Sequence, residues 1–282
     1  MRTLNFDNKK PLLYLVATPI GNLDEFSPRA IEVIKDADLI ACEDTRVTTK
    51  LLSFFNITKP VISIREHNET SATENIIPKI LNGTKVVYMS DAGYPCISDP
   101  GSRLVKLALA SGINVSTVSG PNAALNALVA SGLNSDHFYF HGFLNAKESV
   151  RQEELRKLYK KEETLIFYES PHRIAKTLSD LYLIFGARKA CIARELTKKH
   201  EEYIRANLKE MLEIDAETLK GEMVIIVEGL KGEIQPDISN EELLDMVNKM
   251  IENGMSAKDA IKNVSELTNV SKNIIYKLYH VN

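Results

Sequence analysis

One loop of the sequence carries an unusual density of groups that could bind a ligand. Residues 90–101 read SDAGYPCISDPG, with two carboxylates, two glycines and no basic residue before Arg103. A phosphate group prefers a helix N-terminus free of carboxylates, so Asp91 and Asp99 argue against a nucleotide phosphate here. The loop also lacks the Gly-Lys-Ser/Thr of a P-loop. Its residue types instead favour a ligand that carries hydroxyl groups and positive charge.

S-adenosylmethionine has this chemistry, since it carries ribose hydroxyls, an amino group and a positively charged sulfonium. Backbone groups exposed at Gly93 and Gly120 could read its adenine and its carboxylate. Three further loops follow strand-like segments and could join the same site, namely TPIGN (18–22), EDTR (43–46) and SGPNAA (119–124). In open α/β sheets, ligands bind beyond the carboxyl ends of the strands.

A structural interpretation of the same residues stays open. Asp99 or Ser98 can cap the helix that follows, with Pro100 near its first turn. TPIGN can be an ordinary tight turn. The occurrence of all these loops at one end of a single expected sheet favours the ligand site.

Alternating strand-like and helix-like segments must position these loops. Up to about residue 134, apolar strands such as LLYLVAT (12–18) and KVVYMS (85–90) alternate with helices, which predicts a parallel sheet covered by helices. Ser27 and Pro28 indicate the start of one helix, and Pro78 is expected to interrupt another, at 72–81. A second α/β unit follows. After a linker at 231–240, only helix-like segments remain, in the outline of a helix-turn-helix.

Composition limits the classes of protein that remain. The chain has 282 residues, a net charge of −3 and 44% hydrophobic residues, as an ordinary globular protein with more than one domain would. The net negative charge therefore does not favour binding to nucleic acid, although local basic patches can bind it. Three cysteines without motif spacing argue against a disulfide framework or a cysteine-based zinc site. A cytoplasmic protein without membrane contact is expected, because the N-terminal apolar stretch is too short to span a bilayer.

Two segments suggest contact with RNA. Residues 187–200 carry five basic residues against one acid, and this local excess predicts a track for phosphates. The charged helix at 147–161 is predicted to be only a solvated face. In the tail, the segment SKNIIYKLY would offer Lys272 and Lys277 to nucleic acid. The tail has five lysines against seven acids, so a packing or dimer module is an equal alternative.

Longer motifs resemble a known family over essentially the whole chain. LYLVATPIGNLDEFSPRAIEVIKDADLIACEDTR, REHNE, SDAGYPCISDPG, YESPHR and RELTKKHEE are similar to the ribosomal RNA branch of the tetrapyrrole methylase superfamily. The resemblance implies a two-domain α/β fold of the class III methyltransferases with a small all-helical C-terminal unit. It implies S-adenosylmethionine in the cleft between the domains and usually a homodimer. It also implies methyl transfer to the ribose 2′-oxygen of a cytidine in the decoding region of 16S ribosomal RNA, in the small ribosomal subunit.

The resemblance has departures. TPIGN stands where tetrapyrrole-methylating members usually have a glycine-rich loop, which disfavours a tetrapyrrole substrate. Tyr94 and Asn145 stand where the ribosomal RNA branch usually has Thr and Pro. The domains expected on this basis are an N-terminal α/β domain at 1–134, a second α/β domain at 135–236 and a helical unit at 237–282.

Site residues follow from the matching motif positions. The cofactor contacts implied by the resemblance are Pro19, Ile20, Ser90, Asp91, Ala92, Gly93, Tyr94, Ile97, Ser119, Gly120, Pro121 and Ala124. The motifs YESP and GEM of the second domain should lie near the adenine or methionine end. No metal is expected, because the sulfonium already activates the methyl group and alignment supplies much of the acceleration.

A ribose hydroxyl is a weak acid, so a general base or a cation beside the developing alkoxide would help. The candidates for that role are Glu43, Arg46, His67, Glu169, Arg194 and Lys198. Arg194 and Lys198 would share one face if their segment is helical. Each candidate can equally be an ion pair at the domain interface.

Two other classes of function stay open. A small-molecule methyltransferase of the tetrapyrrole type would need neither a basic track nor a helical tail. A non-catalytic RNA-binding protein would not need an acidic loop beside TPIGN.

Overall fold

The structure, a computed structural model, describes residues 4–6, 10–231, 240–252, 254–268 and 270–281. The described residues form two five-stranded sheets, one after the other along the chain, followed by three helices. This architecture confirms the expected α/β fold with a helical C-terminal part. The expected linker at 231–240 lies, apart from its two end residues, outside the described residues.

The first sheet is parallel throughout, in the order β3-β2-β4-β1-β5. Its strands β2 and β4 are buried along their whole length, as central strands of a sheet with two covered faces are. The elements in chain order are β1 (Leu12–Val16), α1 (Pro28–Asp36), β2 (Leu39–Cys42), α2 (Thr45–Phe54), β3 (Val61–Ser63), α3 (Glu69–Leu81), β4 (Val86–Met89), α4 (Ser102–Ala110), β5 (Asn114–Val118) and α5 (Ala123–Ser131).

Local signals set most of these boundaries. Helix α1 begins where the Ser27 side chain accepts a hydrogen bond from the backbone N–H of Ala30, with Pro28 in the first turn as predicted. The expectation that Pro78 interrupts a helix is wrong, because α3 continues through it. Burial of Ile76, Ile77 and Ile80 against the sheet offsets the loss of one helical hydrogen bond.

The second sheet is mixed, in the order β6-β7-β10-β8-β9. β6 and β7 are parallel, and the other neighbouring strands are antiparallel. The strand β9 was not expected from the sequence. The elements are β6 (Phe138–Phe143), α6 (Glu148–Leu158), β7 (Thr164–Glu169), α7 (Ile174–Phe185), β8 (Lys189–Arg194), β9 (Glu202–Asn207), α8 (Leu208–Met211) and β10 (Met223–Val227).

Helix α5 joins the two halves of the molecule. It precedes residue 134, yet Ala124, Ala127 and Leu128 belong to one buried cluster with Ile166 and Val224 of the second sheet. The loop between β5 and α5 therefore leads the chain from one sheet to the other. This placement sets the SGPNAA segment at the junction of the two sheets.

The prediction that the helix at 147–161 is only a solvated face is wrong at Arg151. Its side chain is buried, and its Nε donates to Asp180 Oδ2 at 2.7 Å. A second guanidinium nitrogen donates to the backbone oxygen of Ala146 at 3.1 Å. The highly charged helix α6 thus contains one buried arginine, Arg151, which connects α6 to α7 and to the segment after β6.

The C-terminal helices are α9 (Asn240–Glu252), α10 (Ala257–Thr268) and α11 (Lys272–Val281). Ser256 caps α10 by accepting from the backbone N–H of Asp259. The helices enclose an apolar cluster of their own, formed by Leu243, Val247, Ala260, Ile261, Val264, Val270 and Ile275. Within the described ranges, no helix has both the length and the apolar character needed to cross a bilayer.

Candidate active site

A cavity of about 470 Å³ lies between the loops that follow the strands of the first sheet and one end of the second sheet. This volume is in the range of small-molecule sites. The predicted site residues that line it are Ile20, Glu43, Asp91, Ala92, Gly93, Tyr94, Ile97, Glu169 and Lys198. The sequence motifs thus converge on one cavity, hereafter the cleft.

The second sheet supplies the opposite side of the cleft. Ser170 and Pro171 of YESP and Met223 of GEM line it, as the sequence suggested for these motifs. Phe143 also lines the cleft although its side chain is 53% exposed, and the Tyr168 ring packs edge-on against it at 5.5 Å. Phe143 was not among the site residues expected from the sequence, although it lies two residues before Asn145 in a segment that resembles the family.

Some predicted cofactor residues support the cleft without lining it. The Ser90 hydroxyl donates to the Gly93 carbonyl at 2.9 Å, and Thr18 and Gly93 exchange two backbone hydrogen bonds. These bonds join the loop after β1 to the loop after β4. Pro19, Ser119, Gly120, Pro121 and Ala124 likewise lie outside the lining residues.

Gly120 holds a position that no larger residue can take without movement. A Cβ atom there would lie 2.9 Å from the Cβ of Ala17. The Gly120 N–H donates to the Tyr94 hydroxyl at 3.2 Å. Tyr94 therefore ties the loop after β4 to the loop after β5, in addition to lining the cleft.

Asp91 is engaged with the backbone of a neighbouring loop. Its Oδ1 accepts from the Asp44 N–H at 3.0 Å. Asp44 in turn caps α2 and pairs with Arg46, whose guanidinium holds the pKa of the Asp44 carboxyl well below its usual range. The Arg46 and His67 side chains are exposed and lie outside the lining residues. The structure therefore does not bring these two candidates into the cleft.

The expectation that Asp99 or Ser98 caps the next helix is wrong. Gly101 is the N-cap residue of α4, and the Glu69 carboxylate accepts from the N–H groups of Gly101 and Arg103, both at 3.0 Å. Asp99 instead lines the cleft. Burial, with the Glu43 and Asp91 carboxylates nearby, raises its pKa to about 7. Sequence alone missed this site residue because a distant glutamate provides the cap.

Glu169 is buried and fully engaged. Its Oε1 accepts from the Ser170 N–H at 2.8 Å and its Oε2 from the Thr177 hydroxyl at 2.6 Å. Arg173 lies 3.3 Å from Oε1 and also donates to the Leu144 carbonyl. These contacts fix the YESP turn at the edge of the cleft.

Residues 194–198 are not helical, so the condition under which Arg194 and Lys198 would share a face is not met. Arg194 is the last residue of β8, and the segment after it turns through left-handed conformations at Glu195 and Thr197, with φ of 51° and 66°. Arg194 pairs with Glu202 and lies outside the cleft lining. Lys198 lines the cleft, with its Nζ 3.0 Å from Glu195 Oε1 and 3.7 Å from Glu222. The turn separates the two cations.

The basic stretch at 187–200 offers less free charge than its composition indicates. Arg188 donates to the Tyr159 carbonyl at 2.6 Å and lies over the rings of Tyr159 and Phe185. Arg194 and Lys198 are ion-paired. The charges left for phosphate contact are therefore those of Lys189 and Lys199, which are exposed.

The residues of the cleft fit S-adenosylmethionine. Burial and the Asp91 carboxylate raise the pKa of Glu43, and Asp99 shows the same effect more strongly. Such a concentration of carboxylates favours a cation. Apolar side chains, among them Ile20, Ile97 and Leu196, complete the lining and suit an uncharged part of the ligand.

Comparison with known proteins places the chain in a family. Residues 12–212 match the family of Tetrapyrrole (Corrin/Porphyrin) Methylases. Solved structures with the same fold include diphthine synthase, with a TM-score of 0.59 and 14% identity over 77% of this chain and 89% of that one. Another is the methyltransferase CobJ, with a TM-score of 0.59 and 19% identity over 78% and 95% of the two chains. The chain is a methyltransferase of the tetrapyrrole methylase family.

Closer relatives define the branch. A protein of Halalkalibacterium halodurans is 45% identical over 96% of this chain and 95% of its own length. One of Bacillus subtilis is 41% identical over 99% and 98%. Both are named ribosomal RNA small subunit methyltransferase I. The chain belongs to this branch of the family, which confirms the resemblance inferred from its motifs.

Proposed function

We propose that the chain methylates the ribose 2′-oxygen of a cytidine in the decoding region of 16S ribosomal RNA, within the small ribosomal subunit, using S-adenosylmethionine. The observation that carries the proposal is the cleft between the two sheets, where carboxylates of raised pKa adjoin apolar side chains. The near full-length similarity to proteins named ribosomal RNA small subunit methyltransferase I supports an RNA acceptor over a tetrapyrrole.

In this reaction the chain's residues would bind the donor and align the acceptor oxygen with it. The loops after β1, β2 and β4 would hold the donor, with Glu43 and Asp91 on its positively charged side and Ile20 and Ile97 on apolar parts. When bound, the donor supplies a methyl group that its charged sulfur has already activated. Alignment of the acceptor oxygen with that methyl group can supply much of the rate acceleration. The proposal therefore requires no metal, and full activity in the presence of EDTA would support it.

Lys189, Lys199 and the C-terminal helices would contact the RNA. Both lysines are exposed, and Lys272 and Lys277 are exposed on α11. A homodimer is part of the proposal, and the exposed apolar side chains Leu125 and Val129 on α5 support it, because a second copy could cover them. A cytoplasmic location is also part of the proposal, and the three free cysteines are compatible with it.

The central experiment offers the protein three kinds of acceptor with radiolabelled S-adenosylmethionine. These are small ribosomal subunits that lack the modification, their free 16S RNA, and a panel of tetrapyrroles. We expect label only in RNA, and nuclease digestion followed by mass spectrometry should recover 2′-O-methylcytidine. Label in a tetrapyrrole would establish the small-molecule alternative. RNA binding without any transfer would establish the non-catalytic one.

Lys199→Ala tests the phosphate contact. We expect a higher Michaelis constant for RNA with unchanged affinity for S-adenosylmethionine, and a loss that shrinks as salt rises. Each phosphate contact releases a counterion and contributes about one unit or less to the salt slope. The matched control is Lys157→Ala on α6, where the lysine is also exposed but is paired with Glu153. Equal effects of the two substitutions would contradict a specific phosphate contact at Lys199.

A further inference from the structure

Asp99 has no hydrogen-bonding task within the described part of the fold. The helix that it was expected to cap is capped by Glu69. Two other carboxylates of the cleft have partners, since Asp91 accepts from the Asp44 N–H and Glu195 pairs with Lys198. No hydrogen bond or ion pair of the Asp99 carboxylate occurs among the described residues. A half-buried carboxylate facing a cavity without a partner is costly for the fold, so its position calls for a functional reason.

The backbone around Asp99 is strained and firmly held. Cys96 and Ser98 adopt left-handed conformations with φ of 69° and 60°, and Gly101 has φ of 118°. The Tyr88 hydroxyl donates to the Pro100 carbonyl at 2.7 Å. Strain of this kind in non-glycine residues clusters at functional sites, where the surrounding structure holds it. The loop therefore presents the Asp99 carboxylate in a fixed position.

That position faces both halves of the cleft. A Cβ atom on Gly142 of β6 would lie 3.1 Å from the Ser98 hydroxyl, so the loop touches the second sheet one residue before Asp99. The negative charge of Asp99 also helps raise the pKa of Tyr168 on β7. The Asp99 carboxylate therefore lies where the first-sheet loop and the second sheet meet in the cleft. Glu43, the other cleft carboxylate without a hydrogen bond among the described residues, lies beside Asp91 and Arg65 on the first-sheet side.

We propose that Asp99 is the general base that removes the proton from the ribose hydroxyl during methyl transfer. This inference rests on the proposed function. The hydroxyl oxygen forms a bond to the methyl carbon while the carbon–sulfur bond breaks, and the electron pair of that bond stays on the sulfur, which becomes neutral. The hydroxyl proton passes to the Asp99 carboxylate and is later released to water.

The groups around Asp99 set the pH at which it can act. Its pKa of about 7 follows from burial first and then from the charges of Glu43 and Asp91. Tyr88, Cys96 and Tyr168 face it as neutral groups, since burial raises the pKa of each. Glu69 adjoins the same loop, and across the cleft the Lys198 cation is offset by Glu195 and Glu222. A base with a pKa near the working pH combines availability with proton affinity.

The test compares single-turnover methylation rates from pH 5.5 to 9 with RNA and S-adenosylmethionine both saturating. The intact protein should lose rate as pH falls through the pKa of the base. Asp99→Asn should lower the rate by about 100-fold or more and remove this acid limb. Glu43→Gln removes a neighbouring negative charge, so it should keep the limb and move it to lower pH. An Asp99→Asn protein with the original rate and limb would overturn the proposal.

Two further readouts separate this proposal from other outcomes. Calorimetry should find the affinity of Asp99→Asn for S-adenosylmethionine within about threefold of the original, and a loss of affinity that accounts for the whole rate effect would make Asp99 a donor-binding residue instead. Carbon-13 NMR of the unliganded protein, assigned with Asp99→Asn, should place the Asp99 titration near neutral pH, and titration below pH 5 would contradict the proposal. The nucleoside formed by the intact protein tests the proposed function independently.

Discussion

Asp91 and Asp99 lie in one loop, yet the fold gives them different surroundings. Asp91 accepts a backbone N–H from the neighbouring loop, so its charge has a fixed partner. Asp99 has burial and two like charges, which raise its pKa to about 7. Asp91 therefore connects two loops, whereas Asp99, as we propose, accepts a proton. Environment, rather than residue type, decides the chemistry of a carboxylate.

Asp99→Asn should stabilise the protein above neutral pH. The native state holds a proton on Asp99 between about pH 4, the pKa of an unfolded aspartate, and about pH 7, so stability falls as pH rises through that window. The substitution removes this cost. Differential scanning calorimetry should find a higher Tm for the variant at pH 8 and a smaller difference at pH 5. Asp91→Asn is the control, because it weakens a native hydrogen bond and should lower the Tm at pH 8.

Tyr94→Phe tests the bond that joins two cofactor loops. The phenyl ring retains the packing but leaves the Gly120 N–H without its acceptor, at a cost of about 1 kcal/mol. We expect a small fall in Tm and weaker binding of S-adenosylmethionine, measured by calorimetry. Tyr276→Phe, at an exposed position on α11, should change neither quantity. Unchanged affinity in Tyr94→Phe would mean that the loop after β5 keeps its position without the bond.

One buried and one half-buried ion pair fix the elements of the second sheet that border the cleft. Arg151 joins α6 to Asp180 on α7, and Arg173 joins Glu169 to the Leu144 carbonyl. Together they hold the segment after β6, which begins beside Phe143. Charged residues thus hold the edge of the site, and one of them, Arg151, lies on the helix that the sequence indicated as only a solvated face.

Arg151→Met should destabilise the protein by about 3–5 kcal/mol, because it leaves the buried Asp180 carboxylate without its cation. The double variant Arg151→Met/Asp180→Leu should recover much of this loss, since it removes both charges. Urea unfolding of the two variants measures the difference. Lys157→Met breaks an exposed pair with Glu153 and should change the free energy of unfolding far less than Arg151→Met does. If the double variant is no more stable than the single one, packing rather than charge explains the loss.

Sequence signals were reliable where a few neighbouring residues determine the structure. Ser27 and Pro28 start α1, and the motifs YESP and GEM reach the cleft. These signals failed where residues distant in the sequence determine the local structure. The cap of α4 comes from Glu69, and the partner of Arg151 is on another helix. The turn after β8 places Glu195 and Thr197 in left-handed conformations, which neither residue type predicts.

At the scale of the whole molecule, the C-terminal helices are a separate layer of packing. Their apolar cluster draws its buried members from α9, α10, α11 and Val270 between them. The two sheets have their own clusters. The tail can therefore fold around its own core while serving RNA contact or dimer contact, the two alternatives that its charge leaves open.

Deletion of residues 232–282 distinguishes these roles. If the tail contacts RNA, the shortened protein should keep its affinity for S-adenosylmethionine and its turnover at saturating RNA, with a Michaelis constant for RNA raised about tenfold or more. Light scattering should find the same oligomeric state as for the full chain. A change to monomer would establish the packing role. RNA kinetics identical to those of the full chain would exclude the docking role.

The placement of α5 has a consequence for dividing the chain into fragments. A piece that starts at residue 135 would lack α5, so the side chains of Ile166, Val224 and Ile226 would lose their cover and invite aggregation. A cut between Ser119 and Gly120 keeps α5 with the sheet it covers. Gly120 and Tyr94 would then belong to different pieces, and the cofactor loops would meet only when the pieces reassemble. Binding of S-adenosylmethionine could thus report complementation between two separately expressed halves.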